Sequence, residues 1–337
     1  MPAPFSRVLS SWTENKRSVL HDHASGGNLM RVCITGADGF VGTHLRRMLT
    51  QRGYDVHGIG LARTAPGPGT YRCMDINDTA TLTHYLSSLQ PVHLYHLAGV
   101  ASSAQAGQDR QSTFRTNTQG VLSLLDATMQ SGIHTRVLLA GTAHVYSAEA
   151  LSHGAHETDP CAPLDFYGLT KRCAEMVMQY YARSRATDII ICRCFNHTGP
   201  GQSPRFVCAD WAQQAAAIRA GTHPPVIRVG DLAPRIDFTD VRDVIEAYAL
   251  LMEKAPSGQT YNVCSGTVYP LSWILEYLLR KTGREVAVHH RDDKTRPAGH
   301  AVVRSGDNTK LCAHTGWHPR IRMETTLDDL FVYWCQH

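Results

Sequence analysis

Long apolar runs are missing from this sequence. No stretch of 18 or more apolar residues occurs in its 337 residues, so a membrane-spanning helix is not expected. The opening MPAPFSRVLSSWTENKRSVLHDHASGGNLM has no apolar core of the secretory kind, which points to a cytoplasmic protein. Residues 1–29 read as a flexible polar extension. Met30 stands directly before the first apolar run and is an alternative start. Charge of one sign is scarce too: 33 Lys and Arg face 29 Asp and Glu, a formal net charge of +4. Over this length, that is too little to attract nucleic acid. Ten cysteines occur without a single CxxC, and without an export signal they are expected as reduced thiols, mostly in the core. Nineteen histidines are present, yet neither HGAH (His153, His156) nor His289–His290 has the ligand count of a zinc site, so no metal is expected. There is no internal repeat and no low-complexity tract.

What is present is a globular composition, 43% apolar and 18% charged, in a chain long enough for one large or two modest domains. Apolar runs alternate with helical patterns through the first half. RVCIT, YDVHGIG, VHLYHLAG, RVLLAGT and DIIICRCFN read as strands. Between them FVGTHLRRMLTQRG, ATLTHYLSSLQ, TNTQGVLSLLDATMQSG and YGLTKRCAEMVMQYYARSR read as helices. Near-continuous apolar strands separated by helices predict a parallel sheet covered on both faces. Cys192 and Cys194, two apart, belong on one face of the fifth strand.

Past residue 197 the rhythm changes. HTGPGQSPRF is a Gly- and Pro-rich loop. ADWAQQAAAIRAG, DVRDVIEAYALLMEKA and PLSWILEYLLRKTG follow as helices, with short strands such as VIRVG and TYNVCS. The expected architecture is α/β: a Rossmann-type doubly wound sheet over 30–197, and over 198–337 a smaller α/β lobe interleaved with it.

TGADGFVG sets Gly36, Gly39 and Gly42 three apart between a strand and a helix. Small residues there let a backbone approach a pyrophosphate, and a helix start offers free N–H groups. As a bare triplet this is equally a tight turn; after the first strand of an alternating pattern it points to a dinucleotide site. The GxxGxxG spacing resembles the extended short-chain dehydrogenase/reductase family. By that resemblance Phe40 and Val41 join the three glycines in cofactor binding. Asp75 and Ile76 of CMDIND lie where the family contacts the adenine ring. Leu97, Ala98 and Gly99 of HLAG lie where its backbone passes the cofactor. An acidic residue ending the second strand would hold the ribose 2′-OH of NAD. VHGIGLAR has none there, and Arg63 follows, a partner for a 2′-phosphate. NADP(H) is therefore expected, with NAD(H) as the alternative.

YGLTK puts Tyr167 four residues before Lys171, on one helix face. An ammonium nearby stabilises a phenolate, and a tyrosine so placed can donate a proton to a carbonyl oxygen while hydride reaches the carbon. YxxxK also arises by chance. Thr142, in GTAHVYS at a strand end, lies 25 residues earlier. The set resembles the family's Ser/Thr–Tyr–Lys triad in order and spacing. The resemblance makes Thr142 the hydrogen-bond donor to the substrate oxygen, Tyr167 the acid or base, and Lys171 the group that tunes Tyr167 and grips the nicotinamide ribose.

RCFNHTGPGQSPRFV, RIDFTDVRDVIEAY, TYNVCSG and TGWHPRI resemble the GDP-4-dehydro-6-deoxy-D-mannose reductases within that family. The resemblance implies NADPH-dependent reduction of a 4-keto sugar nucleotide, with GDP-D-rhamnose as product and a GDP-linked substrate. Thr142, Ala143, His144, Asn196, Arg235 and Arg296 would contact it, the arginines supplying charge for the diphosphate. Three positions depart from the pattern: Ile236 replaces an arginine, Gly299 a glutamate, and Cys194 a proline. His144 stands where related dehydratases carry a glutamate. The alternatives are a 4,6-dehydratase or 4-epimerase that retains NAD, and a non-catalytic protein that senses sugar nucleotide or NADP(H). The resemblance also implies a homodimer, formed by the segments Thr116–Met129 and Tyr167–Arg183. Leu122, Leu125, Met176, Val177 and Tyr180 recur there at helical spacing.

Overall fold

The computed structural model describes residues 29–65, 67–184, 187–290 and 302–337. The expected extension, apart from Leu29, lies outside them, as do Arg296 and Gly299. In chain order the strands are Arg31–Thr35 (β1), Asp55–Gly60 (β2), Thr70–Cys73 (β3), His93–His96 (β4), Arg136–Ala140 (β5), Asp188–Cys194 (β6), Asn196–Thr198 (β7), Val226–Val229 (β8), Arg235–Asp240 (β9), Gln259–Val263 (β10), Val268–Pro270 (β11), Ala287–His290 (β12) and Val303–Arg304 (β13).

Seven strands form one sheet in the order β10-β6-β5-β4-β1-β2-β3, every pairing parallel. This is the doubly wound arrangement, and the order reverses between β1 and β4, where such sheets open a crevice. Alternation along β1 shows how both faces are covered. Val32 and Ile34 enter a core with Leu45 and Leu49 of the Phe40–Gln51 helix and Val244, Tyr248 and Leu251 of the Val241–Lys254 helix. Cys33, between them, enters the opposite core with Leu82, Leu86, Leu125 and Met178. Successive strand residues point to opposite faces, so a strand sandwiched by helices is apolar throughout.

The residues after 198 divide between two bodies. TYNVCS supplies β10, an edge of the main sheet, and the Val241–Lys254 helix covers that sheet. The helices Val207–Ala220, Leu271–Thr282 and Met323–Gln336 build a separate core with Ile227, Ile236 and Phe238. Short strands line it: β9 pairs with β7, β11 and β13, and β8 pairs with β12. β3, a short and mostly exposed edge strand, has no apolar alternation and gives no signal in the sequence. All ten cysteines are unpaired, and Cys192 and Cys194 share one core.

Candidate active site

The glycine turn follows β1 at the crevice. Gly36 has φ +68°, and a Cβ there would lie 2.7 Å from the Ala98 nitrogen. A Cβ on Gly42 would lie 2.2 Å from the Gly36 carbonyl oxygen. Both positions need glycine for that reason. Gly39 is the N-cap of the Phe40–Gln51 helix, and no side chain caps it. Phe40, Val41 and Gly42 thus open a helix start with no side chain across it, a fit for the pyrophosphate of a dinucleotide. β4 is tied to the turn: Leu97 N–H donates to the Thr35 carbonyl at 3.1 Å and Ala98 N–H to Thr35 Oγ1 at 3.3 Å. Ile76 is buried against Gly120, whereas Asp75 is exposed and accepts from Asn77. Arg63 is also exposed.

Tyr167 and Lys171 lie in the first turns of the Phe166–Arg183 helix, both buried. Thr142 follows β5, and its hydroxyl accepts His144 N–H at 3.3 Å, in the turn that packs against the Tyr167 ring. Lys171 Nζ donates to the Ala140 carbonyl at 3.0 Å. A Cβ on Gly99 would lie 3.2 Å from that nitrogen, so the ammonium stands against the end of β4. Three groups 25 and 4 residues apart in sequence thus meet at the carboxyl ends of β4 and β5. Burial pulls Lys171 down to about 8. Burial also holds the Tyr167 phenol well above its ordinary value, and the Thr142 hydroxyl only partly offsets it. The expected lowering by Lys171 does not appear: loss of water around a phenolate is the largest effect on this group. A phenol kept neutral is a proton donor at any ordinary pH.

Asn117 completes this floor, and the sequence pattern did not single it out. Residues Arg115–Gln119 form a π turn ahead of the Gly120–Gln130 helix, within the segment expected to be one continuous helix. The wider turn swings Asn117 inward. Its Oδ1 accepts Val100 N–H at 2.8 Å and would lie 2.9 Å from a Cβ on Gly99. Its Nδ2 donates to Thr170 Oγ1 at 3.0 Å, which ties β4 to the helix of Tyr167.

Residues 32–264 match the model of the NAD dependent epimerase/dehydratase family. The chain belongs to this family. It is an NAD(P)-dependent oxidoreductase of the extended short-chain dehydrogenase/reductase type. It is 31% identical over 310 residues to a GDP-6-deoxy-D-mannose reductase of Pseudomonas aeruginosa, covering 90% of this chain and 97% of the relative. The structure of RMD from Pseudomonas aeruginosa complexed with NADPH superposes with a TM-score of 0.78 at 29% identity, covering 91% of this chain and 99% of that one. A UDP-glucose 4-epimerase of Thermus thermophilus in complex with NAD gives 0.80 at 26% identity, covering 90% and 99%.

Within this epimerase/dehydratase chain, Ala143 and His144 form a short 3₁₀ turn after Thr142. His144 packs edge-on against the Tyr167 ring, centroids 5.4 Å apart. Its Nδ1 meets Asp165 Oδ2 at 2.9 Å, and Ser103 Oγ donates to the same oxygen at 2.7 Å. Asp165 is also the N-cap of the Tyr167 helix, accepting Gly168 N–H at 2.7 Å. Burial alone raises its carboxyl, but His144, Gly168 and Ser103 together hold it well below the usual carboxylate range. An aspartate two residues before Tyr167 carries the ordinary helix-start signal, which is the one cue that would have flagged it. Ser103 offers no cue.

The loop after β6 is pinned to the glycine turn. His197 stacks on Phe40 at 6.3 Å, and His44 Nε2 meets the Pro200 carbonyl at 2.9 Å. Asn196, in β7, pairs in register with Phe238 of β9. Arg235 opens β9 exposed, while Ile236 turns into the core of the smaller body. The alternation of the strand separates the two. Among the described residues no helix is long and apolar enough to cross a membrane, and no group of three or more His, Cys, Asp or Glu is placed to hold a metal.

Proposed function

We propose that this protein reduces the 4-keto group of a nucleotide-linked 4-keto-6-deoxy sugar, with GDP-4-dehydro-6-deoxy-D-mannose as substrate and GDP-D-rhamnose as product. What carries the reading is the convergence of Thr142, Tyr167 and Lys171 beside Gly99, in a chain 31% identical to a GDP-6-deoxy-D-mannose reductase. Thr142 and Tyr167 hold the ketone oxygen between two hydroxyls. The bound reduced nicotinamide supplies the hydride. Tyr167, neutral in its buried position, donates its proton to the developing alkoxide. Lys171 keeps positive charge beside that oxygen while the charge grows. Asn117 fixes the end of β4 against the helix that carries both.

Asn196, Arg235 and Arg296 are assigned to the diphosphate region by resemblance. The reductant is a nicotinamide dinucleotide, bound as NADPH in one solved relative and as NAD in another. The protein is read as a cytoplasmic homodimer.

The decisive experiment is a turnover panel of GDP-, dTDP- and UDP-linked 4-keto-6-deoxy sugars with NADPH and NADH. Consumption of reductant with the GDP-linked ketone supports the proposal, and no turnover of any ketone refutes it. One rival is a dehydratase or epimerase that keeps NAD bound, since an imidazole such as His144 beside Tyr167 can act as a base. Nucleotide co-purifying with the protein would speak for that rival, because a reductase exchanges its cofactor at each turnover. Binding of a ketone sugar nucleotide without turnover would instead indicate a non-catalytic sensor.

A further inference from the structure

The carboxylate missing from the end of β2 in the sequence is present there in the fold. It belongs to Asp38, inside the glycine turn. Asp38 Oδ2 accepts Ala62 N–H at 3.1 Å, just past the end of β2. Its Oδ1 would lie 2.1 Å from a Cβ on Gly60, so the carboxylate fills the space a side chain at the strand end would take. In a doubly wound sheet this is where the adenosine ribose is read, by a carboxylate for a free 2′-hydroxyl and by a cation for a 2′-phosphate.

The surrounding charges decide between the two. Tyr71, on β3, donates to the Ala62 carbonyl at 3.0 Å; burial, then the Asp38 charge, pushes its phenol up to about 12. Arg46 comes from the helix below. It is fully buried, with its guanidinium directed to the Gly67 and Gly69 carbonyls at 3.3 and 3.5 Å and lying 5.7 Å over the Tyr71 ring. A phosphate cannot reach it. Arg72 follows Tyr71 on the strand, so it points to the other face, where it stacks over Tyr85 at 5.1 Å. Arg63 is solvent-exposed. A long exposed side chain gives little to a partner in water, whereas a carboxylate held by backbone keeps its charge in place.

We infer that Asp38 reads the adenosine ribose hydroxyls, so that this protein takes NADH in preference to NADPH. Arg63 is then a solvent-facing residue that does not set the preference. The inference rests on family membership and the cofactor site, not on the identity of the sugar, and its test needs no sugar.

The test is fluorescence titration of the purified protein with NADH and NADPH, with AMP and adenosine 2′,5′-bisphosphate as fragments that differ only at the 2′ position. Wild-type protein is expected to bind NADH and AMP at least about fivefold more tightly than their 2′-phosphorylated counterparts, the order of repulsion between like charges about 4 Å apart in water. Asp38→Asn keeps an acceptor for Ala62 N–H and removes the charge; it is expected to close most of that gap by gaining affinity for NADPH. Arg63→Ala is expected to leave the ratio unchanged. Tighter wild-type binding of NADPH overturns the inference, and so does a tenfold loss of NADPH affinity in Arg63→Ala. The wild-type fragment ratio decides the question even where Asp38→Asn fails to fold.

Discussion

The imidazole of His144 and the carboxylate of Asp165 meet at 2.9 Å, although 21 residues separate them. The same carboxylate caps the helix that carries Tyr167 and Lys171, so one side chain orients an imidazole beside the phenol and starts the helix bearing it. These two duties are separable. Asp165→Ala loses the cap, worth about 1 kcal/mol, which in a chain of this size lowers the melting temperature by roughly 1–2 °C. Asp165→Asn keeps the cap and removes the carboxylate charge beside His144. It is expected to melt near wild type while turnover falls and cofactor binding holds. Unchanged turnover in Asp165→Asn would show that the pair does nothing beyond capping.

Tyr167→Phe removes the proton donor and little else. Turnover is expected to drop by roughly 10²–10⁴-fold, with NADH and NADPH still bound in fluorescence titration. Near wild-type rates would sink the assignment of Tyr167.

Lys171 gives the reaction its expected pH dependence. Its folded value is about 8 against an ordinary 10.5, because burial disfavours the ammonium. Reduction uses the charged form, so kcat/KM is expected to be full below about 8 and to fall as pH rises through it. Stability runs the other way. Between about 8 and 10.5 the unfolded chain holds a proton that the folded chain has released, so stability contributed by this group rises with pH across that window. Lys171→Met is expected to flatten both dependences. A kcat/KM that does not fall between pH 7 and 9 contradicts the role.

A homodimer is expected through the Gly120–Gln130 and Phe166–Arg183 helices. Leu122, Met129, Leu169, Met176 and Tyr180 are all at least 40% exposed on them. Leu125 and Val177, expected on the same face, instead pack toward the sheet. Light scattering at micromolar concentration should give twice the chain mass, and Met176→Glu with Tyr180→Glu should halve it. A monomeric wild-type mass rules the dimer out.

Elimination from GDP-mannose needs a base at C5 and an acid at C6. The glutamate that related dehydratases place two residues after the catalytic hydroxyl is His144 here, held by Asp165. Incubation with GDP-mannose and no added reductant is expected to yield no 4-keto product. Efficient conversion, with no use of reductant when a ketone is offered, would make the protein a dehydratase.

Much of this molecule follows from local pattern. Alternation of apolar runs and helical periods set the parallel sheet, because burial on two faces writes itself into residues two and four apart. The glycine spacing after β1 and the Tyr167–Lys171 interval are likewise short-range, set by one turn and one helix. Other features depended on which strands became neighbours. TYNVCS reads as a short strand of the later region, and only sheet order made it the edge beside β6. Asn117 reads as a polar residue on a helix until the π turn rotates it toward Gly99. The second strand ends without an acid in sequence, and parallel pairing of β1 with β2 brings Asp38, more than twenty residues earlier, to that end. Sequence periodicity determines which face of an element is buried; which distant side chains then share a site is decided by strand order and register, which no local window contains.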